Sequence, residues 1–173
     1  MNKNRILVPV VQLCAIALLV FIDYELKELA VRRLTLGETV TLIPNVLGLQ
    51  LAHNTGAAFS LFSSATTALS VVTGAVLLAV FIAQALIKKK PKIFTVLVPL
   101  IIAGGTGNLV DRIRQGYVID YIRTLFIDFP IFNFADIMIT CSCVILIVYL
   151  IVGIVRDGRK KEADGPEKDV EAV

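Results

Sequence analysis

The chain has no tryptophan and a single histidine, His53, so an HExxH zinc site is impossible and the usual Ser-His or Cys-His dyads are nearly excluded. Cysteine is scarce too. Cys14, Cys141 and Cys143 fall inside apolar stretches, provide no disulfide framework and read as small packing residues. Charge is missing from four long runs, Ile6 to Ile22, Ser60 to Ile87, Ile93 to Val110 and Ile137 to Val155, each near or above the roughly 18 residues that indicate a spanning helix. With 57% apolar residues and a mean hydropathy of +0.82, the 173 residues are too greasy for a soluble domain. The net charge of +3 gives no reason to expect a nucleic-acid partner. Four spans of roughly 20 residues each leave no room for a separate soluble catalytic domain, so chemistry must occur at the spans or in their loops.

The first run follows Lys3 and Arg5, as a cleaved signal sequence would, but it lacks a small-x-small cleavage site and continues into Phe21 and Ile22. It reads as an uncleaved span. Lys3 and Arg5, then Lys88, Lys89, Lys90 and Lys92, then Arg156, Arg159, Lys160, Lys161 and Lys168 all fall on one side of a four-span arrangement. The positive-inside rule makes that side cytoplasmic, with both termini. Residues from about 28 to 62 and about 113 to 135 then face outward. Residues 156–173 are rich in charge and are expected to form a disordered cytoplasmic tail behind a membrane domain of residues 1–155. In the first outer loop Val40, Leu42, Leu47, Leu49 and Leu51 alternate with polar residues around Pro44-Asn45, which predicts a small hairpin.

Ionisable residues at bilayer depth are functional candidates by default, because they cost roughly 2.5 to 3.5 kcal/mol each. Asp23 and Lys27, at i and i+4, share a helix face and can form an ion pair that positions the helix end. Gly104, Gly105 and Gly107 permit close approach, and Asn108 and Arg112 again stand four apart, with Asp111 beside Arg112. A GxGD intramembrane protease would need aspartate where Asn108 stands. Asp120 lies in YVIDYI and Asp136 follows FPIFNFA at the threshold of the fourth run. If the fold joins them, one carboxylate serves as base and the other as acid, the chemistry of an aspartic protease. Alternatively each caps a helix or pairs with an arginine such as Arg114 or Arg123. Asn54 and Gly56 mark a turn before the second span; Asn54 either caps a helix or grips a substrate backbone.

Together these segments resemble the lipoprotein signal peptidases, also called signal peptidase II. The similarity covers residues 6 to 155 and keeps the order Asp23 with Lys27, NTGAAF (Asn54 to Phe59), GGxxGNxxDR (Gly104 to Arg112), VIDY (Val118 to Tyr121) and FNFAD (Phe132 to Asp136). It departs at Tyr24 and Glu25, where the family commonly has a glutamine. The resemblance implies an all-α membrane protein of four transmembrane helices, with a small extracytoplasmic β-cradle and a mobile outer helix. It implies cleavage of a bacterial prolipoprotein just before its diacylglyceryl cysteine, in the cytoplasmic membrane near its outer face, and sensitivity to globomycin-like cyclic peptides. By the same resemblance Asp120 and Asp136 are the catalytic pair. Asn54, Asn108, Arg112 and Asn133 line the substrate path and hold the pair, while Asp23, Lys27, Gly56 and Asp111 support it. The expected partners are the lipidated substrate and membrane lipid, acting on a monomer without metal or cofactor. A small transporter or channel is the main alternative, but no inverted repeat relates the halves. A lipid-modifying transferase lacks the metal-binding aspartate sets it would need.

Overall fold

The computed structural model describes residues 4–56, 65–87 and 91–164. In chain order it contains α1 (Asn4–Arg33), β1 (Thr39–Ile43), β2 (Leu47–Asn54), α2 (Ala65–Leu86), α3 (Lys92–Gln115), β3 (Val118–Thr124) and α4 (Phe134–Asp164). Each of the four helices has a stretch long and apolar enough to cross a bilayer: Leu7–Arg33, Thr66–Gln84, Lys92–Gln115 and Phe134–Arg159. These match the four uncharged runs of the sequence. Their outward faces expose Val71, Leu78 and Ile154, large apolar side chains that a soluble protein would bury and lipid accepts. The protein is a multi-pass membrane protein.

Helix α3 is the centre of the bundle, packed against α1, α2 and α4. Half of its apolar stretch is buried, against 11% or less for the other three. Small residues create this position. A Cβ on Gly104 would stand 2.5 Å from the Ala135 carbonyl oxygen and 2.8 Å from Ile139, so only glycine lets the start of α4 lie on α3. Ala103, Ala135 and Met138 form the core at this crossing, joined by Ile16, Leu19 and Val20 of α1. Gly104→Ala places its new methyl against backbone that cannot rotate away. The expected loss is about 1–3 kcal/mol of overpacking, offset by at most about 1 kcal/mol of helix propensity, and it is read as a lower thermal midpoint of the purified protein.

The hairpin predicted around Pro44-Asn45 is present as β1 and β2, antiparallel, with Asn45 at φ 59° and Val46 N–H donating to the Ile43 carbonyl at 3.0 Å. A third strand completes the sheet in the order β1-β2-β3, with β3 antiparallel to β2. Gly116, in the left-handed region at φ 80°, ends α3 by donating its N–H to the Arg112 carbonyl, and the chain turns directly into β3. Ile119 and Tyr121 point from β3 into a core with Ala30 and Leu51, which locks the sheet to the end of α1. Asp120, between them, faces the other way.

One expectation needs amendment. Helix α4 runs to Asp164, so the first nine residues of the expected tail continue the helix instead of being disordered. The span supplies the costly nucleus, and arginines and lysines are good helix formers that suit a helix C-terminus. The separate outer helix implied by the resemblance has no counterpart among the described residues. Residues 57–64 of the first outer loop, including the second half of the NTGAAF block, lie outside them, as do Lys88 to Lys90 and residues 165–173.

Candidate active site

The site forms where four elements converge: the end of α1, the end of α3, strand β3 and the start of α4. Asp120 is 1% exposed, in a strand held between β2 and the bundle. Its carboxylate accepts from Asn54 Nδ2 at 2.9 Å and Asn133 Nδ2 at 2.7 Å. Burial pushes its pKa up to about 6. The neighbouring Asp136 charge adds to the rise, and the two asparagine donors and Lys27 oppose it. Burial likewise pushes the Tyr121 phenol up to about 12, so it stays neutral. The arginine pairing considered for Asp120 does not occur: Arg114 lies over the Tyr24 ring at 5.3 Å, and Arg123 donates to Thr39 and Gln50. Tyr24, a position where the chain departs from the family pattern, is thus spent on holding Arg114.

Asp136 stands in the first turn of α4. Asn133 is the N-cap: its Oδ1 accepts the Asp136 N–H at 3.0 Å, while Asp136 Oδ2 accepts the Asn133 N–H at 3.1 Å. This reciprocal capping box fixes the carboxylate against the helix N-terminus, where negative charge is favoured. Its Oδ1 accepts from Asn108 Nδ2 at 2.7 Å. The cap thus occupies Oδ2 and leaves Oδ1 to the Asn108 amide. The Asn133 amide also reaches Asn108 Oδ1 at 3.1 Å and the Ile119 carbonyl at 3.3 Å, so one fully buried side chain ties Asp120, Asp136 and α3 together.

Asn54 stands at the end of β2. Its Oδ1 accepts the Gly56 N–H at 2.8 Å, which leaves its amide free to hold Asp120. Gly56 at φ 85° makes that turn. Behind the pair, Lys27 lies 2.8 Å from Asp23 and 2.9 Å from Asp111, realising the expected Asp23–Lys27 pair and adding a third partner. Arg112 is half-buried, and none of the hydrogen bonds around the two aspartates involves its guanidinium; its Nε is buried without a partner. Asp128 is exposed, and the exposed His53 stacks on Tyr117 at 4.1 Å.

Between Asp136 and the loop before α4 lies an open cleft of about 480 Å³, lined by Asn54, Asp136, Phe129, Phe132, Ile137 and Cys141 among others. Its wall is mostly apolar. Phe129 and Ile137 carried no signal beyond hydropathy as cleft residues, Phe132 entered only as the first residue of the FNFAD block, and Cys141 is a cleft residue where a packing role was expected. The N-x-x-D spacing of Asn133 and Asp136 is the signal that would have disclosed the cap. No group of three or more histidine, cysteine, aspartate or glutamate side chains that could hold a metal occurs among the described residues.

Four spanning helices thus bring together two carboxylates joined by a shared asparagine, one of them lining the cleft. The family model for signal peptidase (SPase) II matches residues 15–152. The chain is 41% identical to the lipoprotein signal peptidase of Enterococcus faecalis, over 79% of this chain and 84% of that one. It is 34% identical to the lipoprotein signal peptidase of Clostridium tetani, over 81% and 92%. A solved structure described as a bacterial membrane enzyme, at 1.9 Å resolution, superposes with a TM-score of 0.75 and 28% identity, covering 81% of this chain and 92% of that chain. The chain belongs to the signal peptidase II family, and it is an aspartic endopeptidase.

Proposed function

We propose that Asp120 and Asp136 are the catalytic pair with which this peptidase removes the signal peptide of lipidated prolipoproteins, cutting just before the diacylglyceryl cysteine. The observation that carries the assignment is the Asn133 bridge: one buried asparagine binds both carboxylates, and one of the two lines the cleft. Asp136, at a helix N-terminus and facing the Asn108 amide, is the ionised base. It takes a proton from water, whose oxygen adds to the scissile carbonyl carbon. Asp120, deeply buried, holds the pair's single proton and gives it to the carbonyl oxygen as that oxygen gains charge. Collapse of the tetrahedral species returns this proton to Asp120, while Asp136 passes the water proton to the departing cysteine nitrogen. Both carboxyls end as they began. Asn54 and Asn108 hold the pair.

The sign of the pH dependence follows from Asp120. A carboxyl raised to about 6 keeps its proton below that pH and loses it above. Substrate in the cleft excludes more water and raises the value further. Turnover is therefore expected to fall on the alkaline side, with an apparent pKa above about 6 that belongs to the coupled pair. A kcat profile flat from neutral to strongly alkaline pH contradicts this assignment of the proton.

The cleft opens beside the spans, so acyl chains can remain in the bilayer while the peptide reaches the pair. The distribution of basic residues supports an orientation with both termini in the cytoplasm and the site near the outer face. A reporter inserted near Gly37 is then expected outside, and reporters near Lys90 and after Val173 inside; an outside location for the Lys90 reporter overturns this orientation.

A further inference from the structure

Lys27 is 1% exposed, and its ammonium has three donors and no acceptor. It donates a hydrogen bond to Asn108 Oδ1 at 2.9 Å and forms ion pairs with Asp23 Oδ2 at 2.8 Å and Asp111 Oδ2 at 2.9 Å. What those partners hold is informative. Asp111 Oδ2 also accepts the backbone N–H of Ile119 at 3.2 Å, the residue immediately before Asp120. Asp23 Oδ1 accepts the backbone N–H of Ala135 at 3.0 Å, the residue immediately before Asp136. Gly107 has no side chain because Asp23 occupies that space. The third arm acts on an amide. Because Lys27 and Asn133 can only donate to the oxygen of Asn108, the Asn108 NH₂ group is forced toward Asp136, where it can only donate in turn.

We propose that Lys27 is a positioning residue for the reaction: one buried ammonium, through two carboxylates, pins the residue preceding each catalytic aspartate, and through Asn108 presents a donor to the oxygen of the base. The inference rests on the assignment of Asp120 and Asp136 as the pair. The clamp joins α1, α3, β3 and α4 at one atom, so the separation and facing of two carboxylates on different elements depend on it. The ionisable groups around Lys27 are Asp23 on its own helix, Asp111 on α3, Asp120 and Tyr121 on β3, and Asp136 on α4. Lys27 carries the one positive charge among these, so its presence favours an ionised carboxylate in the pair.

The test compares Lys27→Gln with the unaltered full-length enzyme in lipid nanodiscs, using a diacylglyceryl-modified precursor. Positioning predicts kcat lower by at least about tenfold with KM within about twofold, since misplacement by about 1 Å damages chemistry more than binding. It also predicts that the acid limb of the kcat profile moves to higher pH, because a neighbouring positive charge has gone. Native kcat and an unmoved profile, with only a lower thermal midpoint, reduce Lys27 to a structural ion pair and overturn the inference. Losing one partner of a buried pair can prevent folding, so Lys27→Met combined with Asp111→Asn, which leaves the formal charge of the cluster unchanged, carries the same test. It is expected to accumulate and to show the same fall in kcat at near-native KM; native kcat in that protein overturns the inference as well. Asp120→Asn and Asp136→Asn are assayed alongside. If either turns over normally, the pair itself is misassigned; if both are inactive while the Lys27 variants retain native kcat, only the clamp fails.

Discussion

Asp120→Asn and Asp136→Asn are each expected to lower cleavage by a factor on the order of 1,000 or more while the protein still accumulates in the membrane. Asparagine keeps the shape of the side chain but cannot take a proton from water or hold one for the carbonyl oxygen. The loss at Asp136 removes the base. At Asp120 it removes the proton that burial holds to about pH 6. Because the two act as a unit, the double variant is expected to be little worse than either single one. Asp128→Asn is the matching control: Asp128 is exposed, lies outside the Asn133 network and is expected to keep most activity when changed. Damage at Asp128 equal to that at the pair would show that loop integrity, not the pair, is being measured.

The second large effect concerns the lipid. An unlipidated precursor is expected to be cleaved at least about 100-fold more slowly than its diacylglyceryl form. The gain is not one of greasy contact, since chains moving from lipid to the wall formed by Phe129, Phe132 and Ile137 exchange one apolar surface for another. It is one of orientation. Two acyl chains held along the cleft fix the cysteine, and with it the scissile carbonyl, against Asp136, and loss of that registration by about 1 Å costs on the order of 100-fold. Pulling the chains into water would instead cost about 0.8 kcal/mol per methylene, which is why the site has to stand at the membrane. Initial rates on matched precursors in the same nanodiscs give the ratio. A ratio near one would make the lipid incidental.

The parts of this molecule that could be read from its residues are those governed by local periodicity. Hydropathy disclosed four spans because lipid demands uninterrupted apolar runs, and the alternation of Val40 to Leu51 disclosed the hairpin. Strand β3 escaped because Asp120 interrupts its alternation among Ile119, Tyr121 and Ile122, all apolar. Its partner, β2, lies more than 60 residues away, and no local pattern encodes that pairing. Family resemblance named the residues that the fold brings together around Asp120 and Asp136, and the physical links between them were not legible. That Asn133 bridges two carboxylates, or that Lys27 reaches Asn108 from another helix, depends on how the bundle closes. The hydrogen bond between Lys27 and Asn108 spans 81 positions of sequence. The Asp23 and Lys27 pair, at i and i+4, was visible; its third member, Asp111, came into view only with α3 packed through its glycines. The end of α4 shows the converse error, where charge content indicated disorder but a helix already nucleated by its span continues to Asp164.

The most direct measurement incubates the purified enzyme and its Asp136→Asn variant, each in lipid nanodiscs, with a diacylglyceryl-modified prolipoprotein, and reads both products by mass spectrometry. The account predicts that the unaltered enzyme yields two fragments, a signal peptide ending at the residue before the modified cysteine and a lipoprotein beginning with that cysteine, and that the variant yields neither. Cleavage at another bond, or equal product from the variant, would contradict it.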